Sequence, residues 1–129
     1  HAMHWTVDYL ASEPLVRVTS QGDGPAGRDQ LRQLTRDAMV AGHAHGCPRF
    51  LVDHRLTRLA LGAAEIFDMP RRGDDGGFGH ALRIAILIRP DSPSRADFEF
   101  YAIQCGNLGL HGLRLFYDET AALDWLATP

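Results

Sequence analysis

The residues of this chain with the most chemistry to offer gather in one stretch. In RFLVDHR, residues 49–55, an apolar run through Phe50, Leu51 and Val52 ends in Asp53, His54 and Arg55. A carboxylate where a buried strand reaches the surface can be a nucleophile, a phosphoacceptor, a triad partner or a cap. Ligands of open α/β sheets gather at the carboxyl ends of strands, where this triplet would lie. A catalytic Asp–His pair also needs a nucleophile or metal positioned by the fold. Adjacent residues on an extended segment point to opposite faces, so Asp53 and His54 are not expected to cooperate directly. As a cap, Asp53 would accept backbone N–H bonds from the following loop, with Arg55 solvated or paired with a carboxylate.

Downstream, Leu56, Leu59 and Leu61 are interleaved with Arg55 and Arg58. They are either core or a partly exposed contact surface. Asp53, Arg55, Leu56, Thr57, Arg58 and Leu61 form the candidate set for binding a ligand or partner. Other candidates are weaker. His43 and His45 suggest a metal by composition, but residues two apart on a helix do not face each other. His80 and His111 have no ligand-spaced neighbours, and no metal is expected. Cys105, late in an apolar helix, reads as a buried thiol, whereas Cys47 sits in a turn and is expected to be more exposed. Neither shows the base and electropositive setting of a nucleophilic cysteine. Arg71 and Arg72 beside Asp74 and Asp75 form a solvated loop or clamp an anion. Gly106–Gly112 precedes a strand, the wrong order for a dinucleotide-binding turn, and reads as a connection.

Composition narrows the chemistry further. The 129 residues, 45% hydrophobic and 22% charged, fit one soluble domain over residues 3–129, with His1 and Ala2 read as a cloning scar. No apolar run approaches the roughly 20 residues that span a bilayer, and no signal peptide is visible. Two cysteines are too few for a disulfide scaffold, and cytoplasm is the expected compartment. A net charge of -3 gives no reason to expect nucleic acid. All 13 basic residues are arginine. Without lysine, Schiff-base catalysis, pyridoxal phosphate attachment and a Walker-type phosphate site are excluded, and no cofactor is expected. A receiver domain, which needs a lysine beside its phosphoacceptor, is disfavoured too.

The elements that must position these residues follow from periodicity. His4–Leu10 and Leu15–Ser20 read as strands joined through Glu13-Pro14. From Pro25 to about His45, Leu31, Leu34, Ala38 and Ala41 mark an amphipathic helix, with Gly46 as a left-handed cap and Pro48 beyond it. Phe50–Val52 is a short strand covered on both faces. Leu59–Met69 reads as a helix and Arg71–Gly79 as a mobile loop. Leu82–Ile88 is the strongest strand. Ser92-Pro93 opens a helix running to about Cys105, closed by Gly106-Asn107. Leu113–Phe116 is the last strand, and Asp118 caps a helix with Ala122, Trp125 and Leu126 facing inward. The fold class is α/β, order ββαβαβαβα, a mixed and mostly parallel sheet flanked by helices.

This order, with the stretches LVRVTSQG, GCPRFLVDHR, LRIAILIRPDSPSRADFEFYA and GNLGLHGLRLFYDETAALDWL, resembles the SpoIIAA-like proteins of the STAS superfamily. The resemblance covers nearly the whole chain. It implies a bacterial binding or regulatory module rather than a catalyst. In the phosphorylated members of that superfamily a serine follows the central strand. Arg58–Ile66 holds no serine or threonine, and Thr57 lies too early, so no phospho-switch is carried over. The related CRAL-TRIO fold makes a small lipid a thinkable ligand, although a short chain argues against a deep pocket. The expectation is a non-enzymatic module acting through protein or small apolar or anionic ligand contacts after the central strand. The alternatives are a small enzyme or metal-binding protein using Asp53 with a histidine, and a structural homo-oligomer. Neither nucleic acid nor stable membrane insertion is expected, and a homodimer is allowed.

Overall fold

The computed structural model describes residues 4–22, 28–57, 77–107 and 112–129. Five strands are described: β1 (His4–Leu10), β2 (Leu15–Gly22), β3 (Arg49–Thr57), β4 (Arg83–Leu87) and β5 (Leu113–Phe116). Three helices accompany them: α1 (Arg28–His45), α2 (Arg95–Asn107) and α3 (Glu119–Ala127). The sheet runs β1-β2-β3-β4-β5 in chain order. β1 and β2 form an antiparallel hairpin, and every later pairing is parallel. This is the α/β fold with a mostly parallel sheet that the alternation of elements implied.

Period-two alternation assigns each strand residue to a face. Val16, Val18, Phe50, Ile86 and Ile88 pack with Leu31, Leu34 and Ala38 of α1 and Phe98, Tyr101 and Cys105 of α2. On the opposite face, Leu15, Leu51, Ala85 and Leu87 pack with Ala122 and Leu126 of α3. α3 lies across β3, β4 and β5. At the end of α1, Gly46 adopts φ 59°. The Cys47 N–H then reaches the Gly42 carbonyl at 2.8 Å and the Gly46 N–H reaches that of His43 at 3.3 Å, a Schellman closure. Asp118 caps α3 through the Ala121 N–H at 3.0 Å.

Three local expectations are corrected. β3 does not stop at Val52 but runs to Thr57, because β2 pairs with it beyond Asp53 and supplies its backbone partners. Cys47 is buried, its thiol 3.3 Å from the Pro14 carbonyl and 3.5 Å from that of Arg49. Gly106 lies inside α2, which continues to Asn107, and takes no left-handed conformation. Of the stretch expected as a loop over Arg71–Gly79 only Gly77–Gly79 is described, and Gly79 opens a 3-10 turn, Gly79–Ala81. The helix expected over Leu59–Met69, with Arg58, Leu59 and Leu61, lies outside the described residues, as do Arg71, Arg72, Asp74, Asp75 and His111.

Candidate functional site at the carboxyl ends of β2 and β3

Extended backbone sends Asp53 and His54 in opposite directions, and each enters its own polar cluster. Asp53 shares the α3 face with Leu51. Its Oδ1 accepts the Arg55 backbone N–H at 3.0 Å and Arg55 Nε at 3.0 Å. Its Oδ2 accepts Arg55 Nη2 at 2.8 Å and Arg17 Nη2 at 3.2 Å. The same two guanidiniums converge on Glu119 Oε1, from Arg17 at 2.5 Å and from Arg55 at 3.1 Å. Asp53 is thus a cap as anticipated, but of its own strand rather than of a loop. Burial alone would raise its pKa. The Arg55 side-chain and backbone hydrogen bonds, then the Arg55 and Arg17 charges, outweigh that and hold the carboxyl below its ordinary value. Bonding to Asp53 raises Arg55 in turn.

On the α1 and α2 face, Ser20 Oγ lies 2.6 Å from His54 Nδ1 and 3.3 Å from the Asp53 carbonyl, and also meets Thr57 Oγ1. One proton arrangement satisfies all three contacts: Nδ1–H and the Thr57 hydroxyl donate to Ser20, which donates to the carbonyl. Thr57 reaches this face because two steps on β2, Thr19 to Gln21, are matched by three on β3, Asp53 to Leu56. The extra residue is a bulge that shifts the alternation by one. The His54 ring is tilted against Phe98, with centroids 6.3 Å apart. Burial pushes its pKa down to about 4, against the opposing pull of the Asp53 charge.

A serine nucleophile needs access and a base oriented by a third group. Ser20 is 0% exposed, His54 is buried, and the Asp53 carboxylate lies on the other face of the strand. These groups brace one another rather than an incoming substrate. What the edge offers to solvent is Leu56, 64% exposed, with the partly exposed side chains of Arg55 and Glu119.

The remaining candidates are dispersed. His43 stacks on Phe78 at 4.6 Å and His45 on Tyr9 at 4.0 Å, so the two rings are held apart by separate partners. Cys105 is buried, and burial pushes its thiol pKa up. No group of three or more His, Cys, Asp or Glu among the described residues could hold a metal ion. Sequence reasoning missed Ser20, Arg17 and Glu119. Ser20 had a signal, since it falls in phase with Val16 and Val18 on an inward face. Arg17 and Glu119 are 102 positions apart and gave none.

No helix among the described residues is long and apolar enough to cross a membrane. No family model matches the chain, and neither does any curated protein or solved structure.

Proposed function

We propose that the chain is a non-enzymatic, STAS-like binding or regulatory module, contacting a protein partner or a small ligand at the carboxyl end of β3. One observation carries this reading. At that edge the reactive groups are engaged with one another, while a large apolar side chain, Leu56, is left 64% exposed beside them. Isolated exposed leucines are ordinary. This one is flanked by Arg55, whose guanidinium is locked to two carboxylates, so a partner meets an apolar contact on a rigid, pre-ordered rim. Order before binding lowers the entropic cost of association. The described elements, ββαββαβα around a mostly parallel sheet, support the STAS-like part of the proposal.

The test is affinity purification of tagged protein from the organism that encodes it, with mass spectrometry of bound proteins and small molecules. Wild type is compared with Leu56→Glu and with Ile103→Glu, a control on α2 where Ile103 is 62% exposed. A ligand retained by wild type and the control but lost from Leu56→Glu is the expected result. Equal recovery from all three removes the β3 edge from the proposal.

A further inference from the structure

The first strand of the sheet has an open side. Among the described residues no strand pairs with the outer edge of β1, whose seven residues leave backbone N–H and C=O groups pointing outward. Such edges are usually blunted by short length, lysine, proline or a bulge. β1 has none of these. It contains no proline, its one carboxylate is Asp8, and its ladder to β2 runs from His4↔Gln21 to Leu10↔Leu15 without a shift. The opposite edge, β5, has four residues.

We infer that β1 pairs antiparallel with β1 of a second copy across a two-fold axis at Val7, joining two sheets into one. A two-fold normal to the sheet keeps every residue on its own face, so one residue must sit opposite itself on the axis. Centring on Val7 pairs the whole strand, with His4 opposite Leu10, Trp5 opposite Tyr9, and Thr6 opposite Asp8. Trp5 and Tyr9 then form aromatic cross-strand pairs, and the Thr6 hydroxyl donates to the Asp8 carboxylate. Centring on Asp8 would set two carboxylates face to face. Centring on Thr6 would leave Tyr9 and Leu10 unpaired.

The helix above the edge points to the same partner. Trp5 Nε1 donates to Asp37 Oδ2 at 2.9 Å, which fixes one flank of α1 over β1. Gln33, Asp37, Val40 and Ala44 share that flank at helical spacing. Val40 is 65% exposed and Ala44 is exposed as well. Asp37 at Trp5 and His45 at Tyr9 bracket the axis at Val7. Across the axis Val40 and Ala44 therefore lie nearest the approach of the two antiparallel helices, with Gln33 and Asp37 farther out. Strand edge and helix flank are both self-complementary, and the occupant is a second copy of this chain.

Sedimentation velocity of the wild-type chain tests this. A dimer is expected, falling to half the mass in Thr6→Asp, which faces Asp8 of the partner, and in Val40→Glu. Both positions are exposed in the protomer, so circular dichroism and the protomer's fold are expected to be unchanged. A monomeric wild type, or a dimer that survives Thr6→Asp, overturns the inference. The register has its own readout. The double variant Thr6→Cys, Asp8→Cys is expected to cross-link between protomers under mild oxidation while neither single variant does, since the native cysteines are buried. Cross-linking of Thr6→Cys alone would place the axis at Thr6 and overturn the pairing.

Discussion

The carboxylate of Asp53 and the imidazole of His54 lie on opposite faces of one strand, Asp53 bonded to Arg55 and Arg17 under α3, His54 bonded to Ser20 against Phe98. Consecutive residues therefore answer to separate environments. One is held ionised by guanidiniums and the other is held neutral by burial. The two can be perturbed independently.

Asp53→Ala leaves Arg17 and Arg55 with Glu119 alone and strips the Arg55 N–H of its acceptor. A cost on the order of 2–4 kcal/mol is expected, between a lost charge-assisted bond and a broken buried pair. Asp53→Asn keeps an acceptor at Oδ1 but loses the charge at Oδ2, where both Nη2 groups converge, so its stability is expected to fall between wild type and Ala. Urea melts of the three proteins decide the order. An Asn variant more stable than wild type would mean that the carboxylate is strained for function.

Stability is expected to fall as pH drops from about 6.5 to about 4, the window set by His54. The unfolded chain takes up a proton there that the folded chain refuses, so the unfolded state gains as pH falls. No His54 penalty exists above the window, and its full size, reached near the lower end, is about 3 kcal/mol. The lowered Asp53 pKa acts with the same sign but at lower pH, below its ordinary 3.8. His54→Asn places a neutral amide near Nδ1 and is expected to flatten the dependence of urea midpoints on pH across the window. An unchanged slope would assign it to other groups.

Ser20→Ala removes the hydroxyl that joins His54, Thr57 and the Asp53 carbonyl. The expected cost is about 1–3 kcal/mol, the usual penalty for leaving buried polar groups without a partner. In a His54→Leu background the same change is expected to cost less, because one stranded group is already gone. A double-mutant cycle measures that coupling, and strict additivity would show that the 2.6 Å contact carries no energy.

Gly42→Ala is expected to destabilise the protein by about 1–3 kcal/mol, although alanine ordinarily improves a helix interior by roughly 1 kcal/mol. A Cβ there would collide with the ring of Phe50 and lie 2.9 Å from the Cys47 carbonyl. The sign of the change in thermal midpoint is the readout.

The sequence announced its regular elements well. The β1–β2 hairpin, the Gly46 closure of α1 and the Asp118 cap of α3 each rest on residues within a few positions of one another, where local chemistry suffices. The length of β3 was not legible in this way. Asp53, His54 and Arg55 read as the start of a loop because three polar residues interrupt an apolar run. They continue the strand because their charges and hydrogen bonds are met by Arg17, Glu119 and Ser20. Those partners depend on the register of β2 against β3, a long-range property that no local pattern encodes. The opposite facing of Asp53 and His54 was legible nonetheless, since it needs only an extended backbone.

The bulge in β3 makes the chain count modulo two. Upstream of it the even positions Phe50, Val52 and His54 look toward α1 and α2, whereas downstream the odd position Thr57 does so. Removing one residue between His54 and Leu56 would restore plain pairing and renumber the parity of everything beyond it. Within the shortened strand Leu56 and Thr57 would stay opposite Gln21 and Gly22 and keep their faces, and the residue lost would be Arg55, whose backbone and side chain both bond Asp53. The extra residue thus lets β3 turn Arg55 back onto Asp53 while Leu56 and Thr57 keep the faces that β2 sets for them.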